Sequence, residues 1–426
     1  MLPITDTDEL KALCERLSKA DFVTVDTEFL RDNTYYPMLC LVQVADDEGA
    51  HAIDPLAEGL DLSPLMDLLM NEKVLKVLHA CRQDLEIFYQ MMGKLPSPLF
   101  DTQVAAMVCG FGDSVGYETL VTKIAKAQLD KSARYTDWSK RPLSETQLQY
   151  ALGDVTYLRT IYRRLSKELK ATGRERWVDE EMAILRDPSI YEIQPEDAWQ
   201  RLKVRTNKPR FLGLLKELAA WRERQAQERD LPRNRVAKDE TLFEIAAHPP
   251  KDEAALDRIR GVPKGFSRSR AGKSLMEALE AGMNIPDKDL PQIERAKPRP
   301  ATPPMADLLK VLLKIKCQDA KVAARMVANA QDLENWAAEP DTTDIKAMHG
   351  WRYEIFGADA VKLMQGNLGL TARDGDIEWW NWWLKKSLRT VKALKTAPSS
   401  PSGTQSPAGG PSVARVASGA LTPHRW

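Results

Sequence analysis

The chain has 426 residues, with 61 Lys+Arg against 61 Asp+Glu, five histidines and five cysteines. That length exceeds what one compact core organises, so two or three domains are expected. An odd number of scattered cysteines, none in a C-x-x-C pair, argues against a disulfide framework or a thiolate zinc site and for reduced thiols in a cytoplasmic protein. The first residues, MLPITDTDELKAL, carry no basic n-region and no apolar core, and no segment offers the roughly eighteen apolar residues that span a bilayer, so no secretion signal or membrane anchor is expected.

In chain order, FVTVDTEF, CLVQVAD and HAIDP are short β-branched runs at hairpin-like spacing. They are followed by helix-like LSPLMDLLMN, strand-like KVLHA and helix-like QDLEIFYQMM. This order predicts a mixed sheet flanked by helices. A long amphipathic helix follows from LSETQLQYALGDVTYL, opened by a Ser144 cap, with Leu148, Leu152, Val155, Leu158 and Leu165 on one stripe. After residue 170 only helices are expected: 211–225, 239–247 and 271–281 as one set, then 304–316, 319–329, 331–338 and 357–366 as a second. Prolines 286, 291, 298, 300, 303 and 304 mark a semi-rigid linker between the sets.

The expected organisation is therefore a domain over 1–170, a connecting segment over 171–208, a helical domain over 209–285, a linker over 286–303 and a second helical domain over 304–388. A Ser/Pro/Gly/Ala tail over 389–426 is expected to be disordered. Trp379, Trp380, Trp382 and Trp383 read as helically spaced, burying one face against the last helical domain.

The zero net charge is unevenly spread. Residues 1–62 carry 14 acids against 4 Lys/Arg, whereas residues 201–238 carry 12 Lys/Arg against 4 acids. Such asymmetry points to polyanion contact by the later segment and not by the first.

The first segment carries the chemistry. Asp26 and Glu28 close an apolar strand, and strand side chains alternate, so both carboxylates share one face. Asp84 opens a helix, and Tyr150 and Asp154 stand at i and i+4 on another. Four acids from three elements would form an all-oxygen site for hard divalent cations such as magnesium or manganese. Phosphodiester hydrolysis needs an activated water and charge neutralisation at the phosphate, which two divalent ions roughly 3.5–4 Å apart supply. Asp26 would bridge the ions, and Tyr150 would hydrogen-bond the attacking water.

In order and spacing, VDTEF, HACRQDLEIF, FDTQVAA, TDWSKRPL and YALGDVTYL resemble the ribonuclease D branch of the DEDD 3′–5′ exonucleases, over residues 1 to about 385. Asp26 and Glu28 match the first motif, Asp84 the second, and Tyr150 and Asp154 the third, which is the tyrosine subclass. The resemblance implies a ribonuclease H-like fold, two metal ions, stepwise release of nucleoside 5′-monophosphates from an RNA 3′ end, and tRNA precursors as the substrate. The helical sets resemble paired HRDC domains, the first through LLKELAAWRERQAQERDLPRNRVAKDETLFEIA, the second through LLKVLLKIKC, LENWA and GWRYEIFG.

Lys203, Arg205, Lys208, Arg210, Arg233 and Arg235 are the candidates for RNA phosphate contact, the alternative being that LPRNRV packs as an ordinary basic loop, and Arg141 in WSKRPL, weighed against a structural ion pair, is preferred as a phosphate contact near the acids. His79 reads as a structural histidine, Asp101 as a helix cap or an extra metal ligand, and AGKS at 271–274 is rejected as a phosphate loop because position 267 is Ser and no strand precedes it. Two other functions share these features: a DNA 3′–5′ exonuclease using the same five residues, and a non-catalytic RNA-binding protein. No obligate protein partner is evident.

Overall fold

The structure is a computed structural model and describes residues 2–292 and 304–381. It divides into a larger unit to Met364 and a smaller one from Gln365. Among the described residues no helix is long and apolar enough to cross a membrane. The five cysteines are all unpaired and buried.

The first sheet comprises β1 (Phe22–Leu30), β2 (Met38–Ala45), β3 (Ala50–Ile53), β4 (Leu75–Leu78) and β5 (Leu99–Asp101), in the order β3-β2-β1-β4-β5. Pairing is antiparallel from β1 through β3 and parallel across β1-β4-β5, the mixed sheet expected. Parallel neighbours need crossovers, and α2 (Ser63–Met70) and α3 (Arg82–Met92) supply them. Two elements add to the expectation. They are α1 (Thr7–Leu17), capped by the Asp6 carboxylate, and β5 itself, whose three residues are too few to show a period in sequence.

Register creates the opening for the site. β4 pairs only with Phe22, Val23 and Thr24, so beyond Thr24 strand β1 keeps β2 on one side and has no strand on the other. The ladder with β2 is then shifted by an irregularity between Glu28 and Phe29, a device that re-aims side chains at strand ends.

Next come α4 (Thr102–Val108), α5 (Tyr117–Leu120) and the long α6 (Glu145–Thr172). Helix α6 starts with a Ser144–Gln147 capping box and stops at Gly173, whose φ of 66° is the left-handed conformation that ends helices. Its stripe of Leu148, Val155, Leu158 and Leu165 is buried, and Thr24 on β1 donates to the Val155 carbonyl at 2.8 Å. The connecting segment contains α7 (Glu175–Leu185), and its later part, with Ala198 and Leu202, joins the core of the first helical set.

That set comprises α8 (Pro209–Glu228), α9 (Arg233–Val236), α10 (Asp239–Ala247), α11 (Glu253–Leu256) and α12 (Arg270–Asn284). In AGKS, Gly272 lies inside α12, and a Cβ there would stand 2.1 Å from the Phe266 carbonyl oxygen, so this glycine serves close packing. The first part of the expected linker is structured: Leu290 is buried against Gly213, and Asp287 pairs with Arg210. Residues 293–303 lie outside the described residues.

The second set comprises α13 (Pro304–Ala320), α14 (Ala324–Val327), α15 (Ala330–Ala338), α16 (Gly350–Arg352) and α17 (Ala358–Met364). The single helix expected over 319–329 is broken because Lys321 takes φ 50°, leaving only the short α14. The break is systematic. Asp230 (φ 47°) precedes α9 as Lys321 precedes α14, extended Ala237 precedes α10 as extended Ala328 precedes α15, and α10 and α15 each have nine residues. The two sets thus share one backbone plan.

They meet the first domain at different places. The Tyr35 hydroxyl, on the loop between β1 and β2, donates to buried Glu223 of α8, and Arg233 closes on the same carboxylate at 2.6 Å with both Nε and Nη2. The second set is held through Trp177 of α7, which stacks on Trp351 at 4.4 Å, with Arg174 over one ring and Arg352 over the other.

The smaller unit begins with a hairpin of β6 (Leu368–Arg373) and β7 (Asp376–Asn381). Trp379 and Trp380 lie on this strand, which corrects the helical expectation. Asp374 and Gly375, at φ 53° and 87°, form the two-residue turn that matches strand twist. Trp382, Trp383 and the tail over 389–426 lie outside the described residues.

Candidate active site

Alternation along β1 puts Asp26 and Glu28 on one face, and the Thr24–Val155 hydrogen bond sets α6 in register so that Asp154 arrives beside them. Asp26, Glu28 and Asp154 each offer a carboxylate oxygen, all within 4.8 Å of one another. Asp84 approaches at the open side of β1: it is buried, and its Oδ1 accepts from Thr27 Oγ1. It stands outside the tight trio, yet its charge acts on both Asp26 and Glu28. Tyr150, one turn before Asp154, hydrogen-bonds that carboxylate and packs its ring 6.0 Å from Trp138.

Electrostatically the group is frustrated. Burial, with the charges of Asp84, Asp154 and Glu28 around it, pushes Asp26 well above the ordinary carboxylate range. Burial and the neighbouring Asp154 and Asp84 carry Glu28 up to about 9. Burial raises Asp84 and Asp154 to about 7 each, against the lowering effect of the Thr27 and Tyr150 hydrogen bonds. Crowded carboxylates take up protons when no cation is bonded among them. An all-oxygen, anionic, converging donor set therefore fits a hard divalent cation. Burial and the same acids hold the Tyr150 phenol above its usual value, so it is protonated at neutral pH and acts as a hydrogen-bonding group, not a base.

The cavity here, of about 330 Å³, is also lined by His79, Tyr117, Glu118, Lys131 and Arg134. His79 is structural: Nδ1 pairs with Thr102 Oγ1 at 3.0 Å and its ring packs on Tyr117. Asp101 is a cap. It accepts from Gln103 and Val104 at the start of α4 and from the Ala80 and Cys81 amides that lead into α3, and so braces the turn carrying Asp84.

Arg141 requires correction. Its guanidinium binds Asp54 through Nε and Nη2 at 2.6 Å and donates to the carbonyls of Trp138, Lys140 and Cys40. With its donors engaged, it pins a loop and has none to spare for phosphate. Arg233 is likewise committed to Glu223, and Arg210 to Asp287 and two carbonyls. Arg235 bonds Asn33. Lys203, Arg205 and Lys208 are exposed on the segment entering α8. Thr27, Tyr117, Lys131 and Arg134 were not singled out from the sequence. For Lys131 and Arg134 the signal was KSARYTDW, a basic and aromatic run leading into the WSKRPL motif; Thr27 and Tyr117 had none of that kind.

Comparison with known proteins bears directly on this site. A 3′–5′ exonuclease family model matches residues 1–170, and an HRDC domain model matches residues 211–279. The ribonuclease D of Jannaschia sp. (strain CCS1) is 52% identical over 380 residues, which cover 88% of this chain and 98% of that protein. The chain belongs to the ribonuclease D family. The ribonuclease D of Sphingobium indicum is 49% identical over 380 residues, with 88% and 97% covered. The crystal structure of Escherichia coli RNase D, described as an exoribonuclease involved in structured RNA processing, superposes with a TM-score of 0.72 at 34% identity, covering 85% of this chain and 98% of that one. As a ribonuclease D family member the chain is a 3′–5′ exoribonuclease with a ribonuclease H-like catalytic domain, and it depends on divalent metal.

Proposed function

We propose that this enzyme trims the 3′ ends of structured RNA precursors in the cytoplasm, tRNA 3′ trailers foremost, releasing nucleoside 5′-monophosphates with two divalent ions held by Asp26, Glu28, Asp84 and Asp154. The observation that carries this reading is the convergence of three carboxylates from β1 and α6, none of them in an ion pair with Lys or Arg among the described residues. When bound, the ions supply charge neutralisation at the scissile phosphate and a lowered pKa for the attacking water. Asp26, central in the acid set, would be the ligand shared by the ions. Tyr150 donates to Asp154, and a lone pair of its hydroxyl accepts from the attacking water and orients it. The uncommitted cations Lys203, Arg205 and Lys208 hold the RNA body by sequence-tolerant phosphate contact. Residues 304–364 form a second HRDC-like module, a reading supported by the backbone plan they share with the first helical set.

The test is product analysis on a 3′-extended tRNA with magnesium and with manganese, beside single-stranded RNA and DNA oligonucleotides of one sequence. The reading expects nucleoside 5′-monophosphates and preference for RNA. Equal or faster digestion of DNA would favour a DNA exonuclease instead.

A further inference from the structure

We propose that Arg134 is a catalytic residue, its guanidinium bound to the non-bridging oxygens of the scissile phosphodiester. The proposal rests on Asp26, Glu28, Asp154 and Tyr150 forming the active site. Two cationic side chains line that cavity, Lys131 and Arg134. Lys131 is paired with Glu118. Among the described residues, the Arg134 guanidinium makes no hydrogen bond or ion pair, and its contact is the ring of Tyr135, 5.4 Å away. Its positive charge nevertheless acts on Glu28, Asp154 and Tyr150. A guanidinium that stands beside two carboxylates and a phenol without bonding any of them keeps its donors for a group that enters between.

The loop is built to present it. Ala133 and Trp138, on either side, are each 2% exposed. The Thr136 amide and hydroxyl bond the Ala133 carbonyl at 3.1 and 2.7 Å, and Gln147 Nε2 reaches Thr136 Oγ1 at 3.1 Å. The double Arg141–Asp54 bond fixes the end of the loop. Arg141 thus has a purpose at the site, as the pin that positions Arg134. The backbone that carries Arg134 is thus fixed before substrate arrives, which limits the reorganisation needed as charge develops to the exposed side chain itself.

The chemistry balances without a further reactant. The oxygen of water bonds to phosphorus, the bond between phosphorus and the leaving 3′ oxygen breaks, and one water proton ends on that oxygen. The products are a nucleoside 5′-monophosphate and an RNA one residue shorter with a free 3′ hydroxyl. Arg134 neither gains nor loses a proton. Its planar fork matches two phosphate oxygens, which a lysine ammonium meets only as a point charge.

The experiment is single-turnover cleavage of a 5′-labelled single-stranded RNA at saturating magnesium by the full-length wild type, Arg134→Ala, Arg134→Lys and Asp26→Asn. Arg134→Ala is expected to cut the rate by about 10²- to 10³-fold, the cost of losing one preorganised oxyanion donor. Half-saturating RNA concentration and unfolding temperature should stay at wild-type values, the magnesium midpoint should not rise, since a positive charge near Glu28 and Asp154 has been removed, and Arg134→Lys should recover part of the rate. A rate within about threefold of wild type overturns the proposal, as does a defect confined to RNA affinity or one that added magnesium cures. Activity retained in Asp26→Asn sinks the site assignment and this proposal with it. An inactive Asp26→Asn beside a fully active Arg134→Ala overturns this proposal alone.

Discussion

Two groups of acids inside this molecule sit in opposite electrostatic states. On β1 and α6, burial and like charge push Asp26, Glu28 and Asp154 upward, and among the described residues no Lys or Arg forms an ion pair with any of the three. On α8, Glu223 is also buried, at 1% exposure, and burial alone would raise it. Hydrogen bonds from Arg233 and Tyr35 reverse the sign and hold it below its ordinary value. Compensation, not burial, decides which way a buried carboxylate titrates. Glu223 is a finished structural contact between the first helical set and the loop beyond the metal-binding strand, whereas the acids of β1 and α6 are left for a cation to complete.

Mutating one acid from each group should separate them. Asp26→Asn removes a ligand and one of the crowded charges. Metal-dependent nucleotide release should be lost, RNA binding retained, and the metal-free protein should unfold no earlier than wild type, as thermal melts alongside activity assays would show. Glu223→Gln should do the converse, destabilising by about 1–3 kcal/mol, because it leaves Arg233, whose side chain is 36% exposed, facing a neutral partner. Denaturant melts read that loss, and the folded fraction should keep its rate of cleavage.

Proton linkage gives the same contrast with smaller effects. In the acid cluster the folded-state values lie above the unfolded ones, so the folded chain binds more protons. Stability of the metal-free protein should therefore fall as pH rises from about 4 through the values of about 7 for Asp84 and Asp154 and about 9 for Glu28. Saturating magnesium should flatten that slope. For Glu223 the sign is opposite: its contribution is present above the ordinary value of 4.5 and lost as pH falls through its lowered one. Melting temperatures across pH, with and without metal, check both. The smallest effect concerns neither group: neutralising Lys203, Arg205 and Lys208 together should weaken RNA binding and reduce its salt dependence by about two to three charges, measured as the slope of log affinity against log salt.

How much of this was legible in the sequence follows from the range of each interaction. Strand alternation and the i, i+4 rule act within a few residues, so the face shared by Asp26 and Glu28 and the pairing of Tyr150 with Asp154 could be read directly. Asp84 was identified through its motif, but not its bond to Thr27, which depends on the β1–β4 pairing ending at Thr24. Arg141 was misassigned because its partner Asp54 lies far away in sequence, and a guanidinium's availability depends on such distant partners. Arg134 went unnoticed for the same reason, since its importance lies in what it does not bond. The Trp379–Trp380 strand is a different kind of miss. The Asp374–Gly375 turn was present in the sequence as a hairpin signal, and the tryptophan spacing was given more weight than the turn chemistry.

If the acids of β1 and α6 hold protons until a divalent cation displaces them, metal binding must release those protons. Magnesium titration of the metal-free protein at pH 7, followed calorimetrically in two buffers of different ionisation enthalpy, counts those protons. Release of at least about one proton per molecule bound, lost in Asp26→Asn, is the predicted result. Binding heats independent of the buffer, or proton release unchanged in Asp26→Asn, would contradict it.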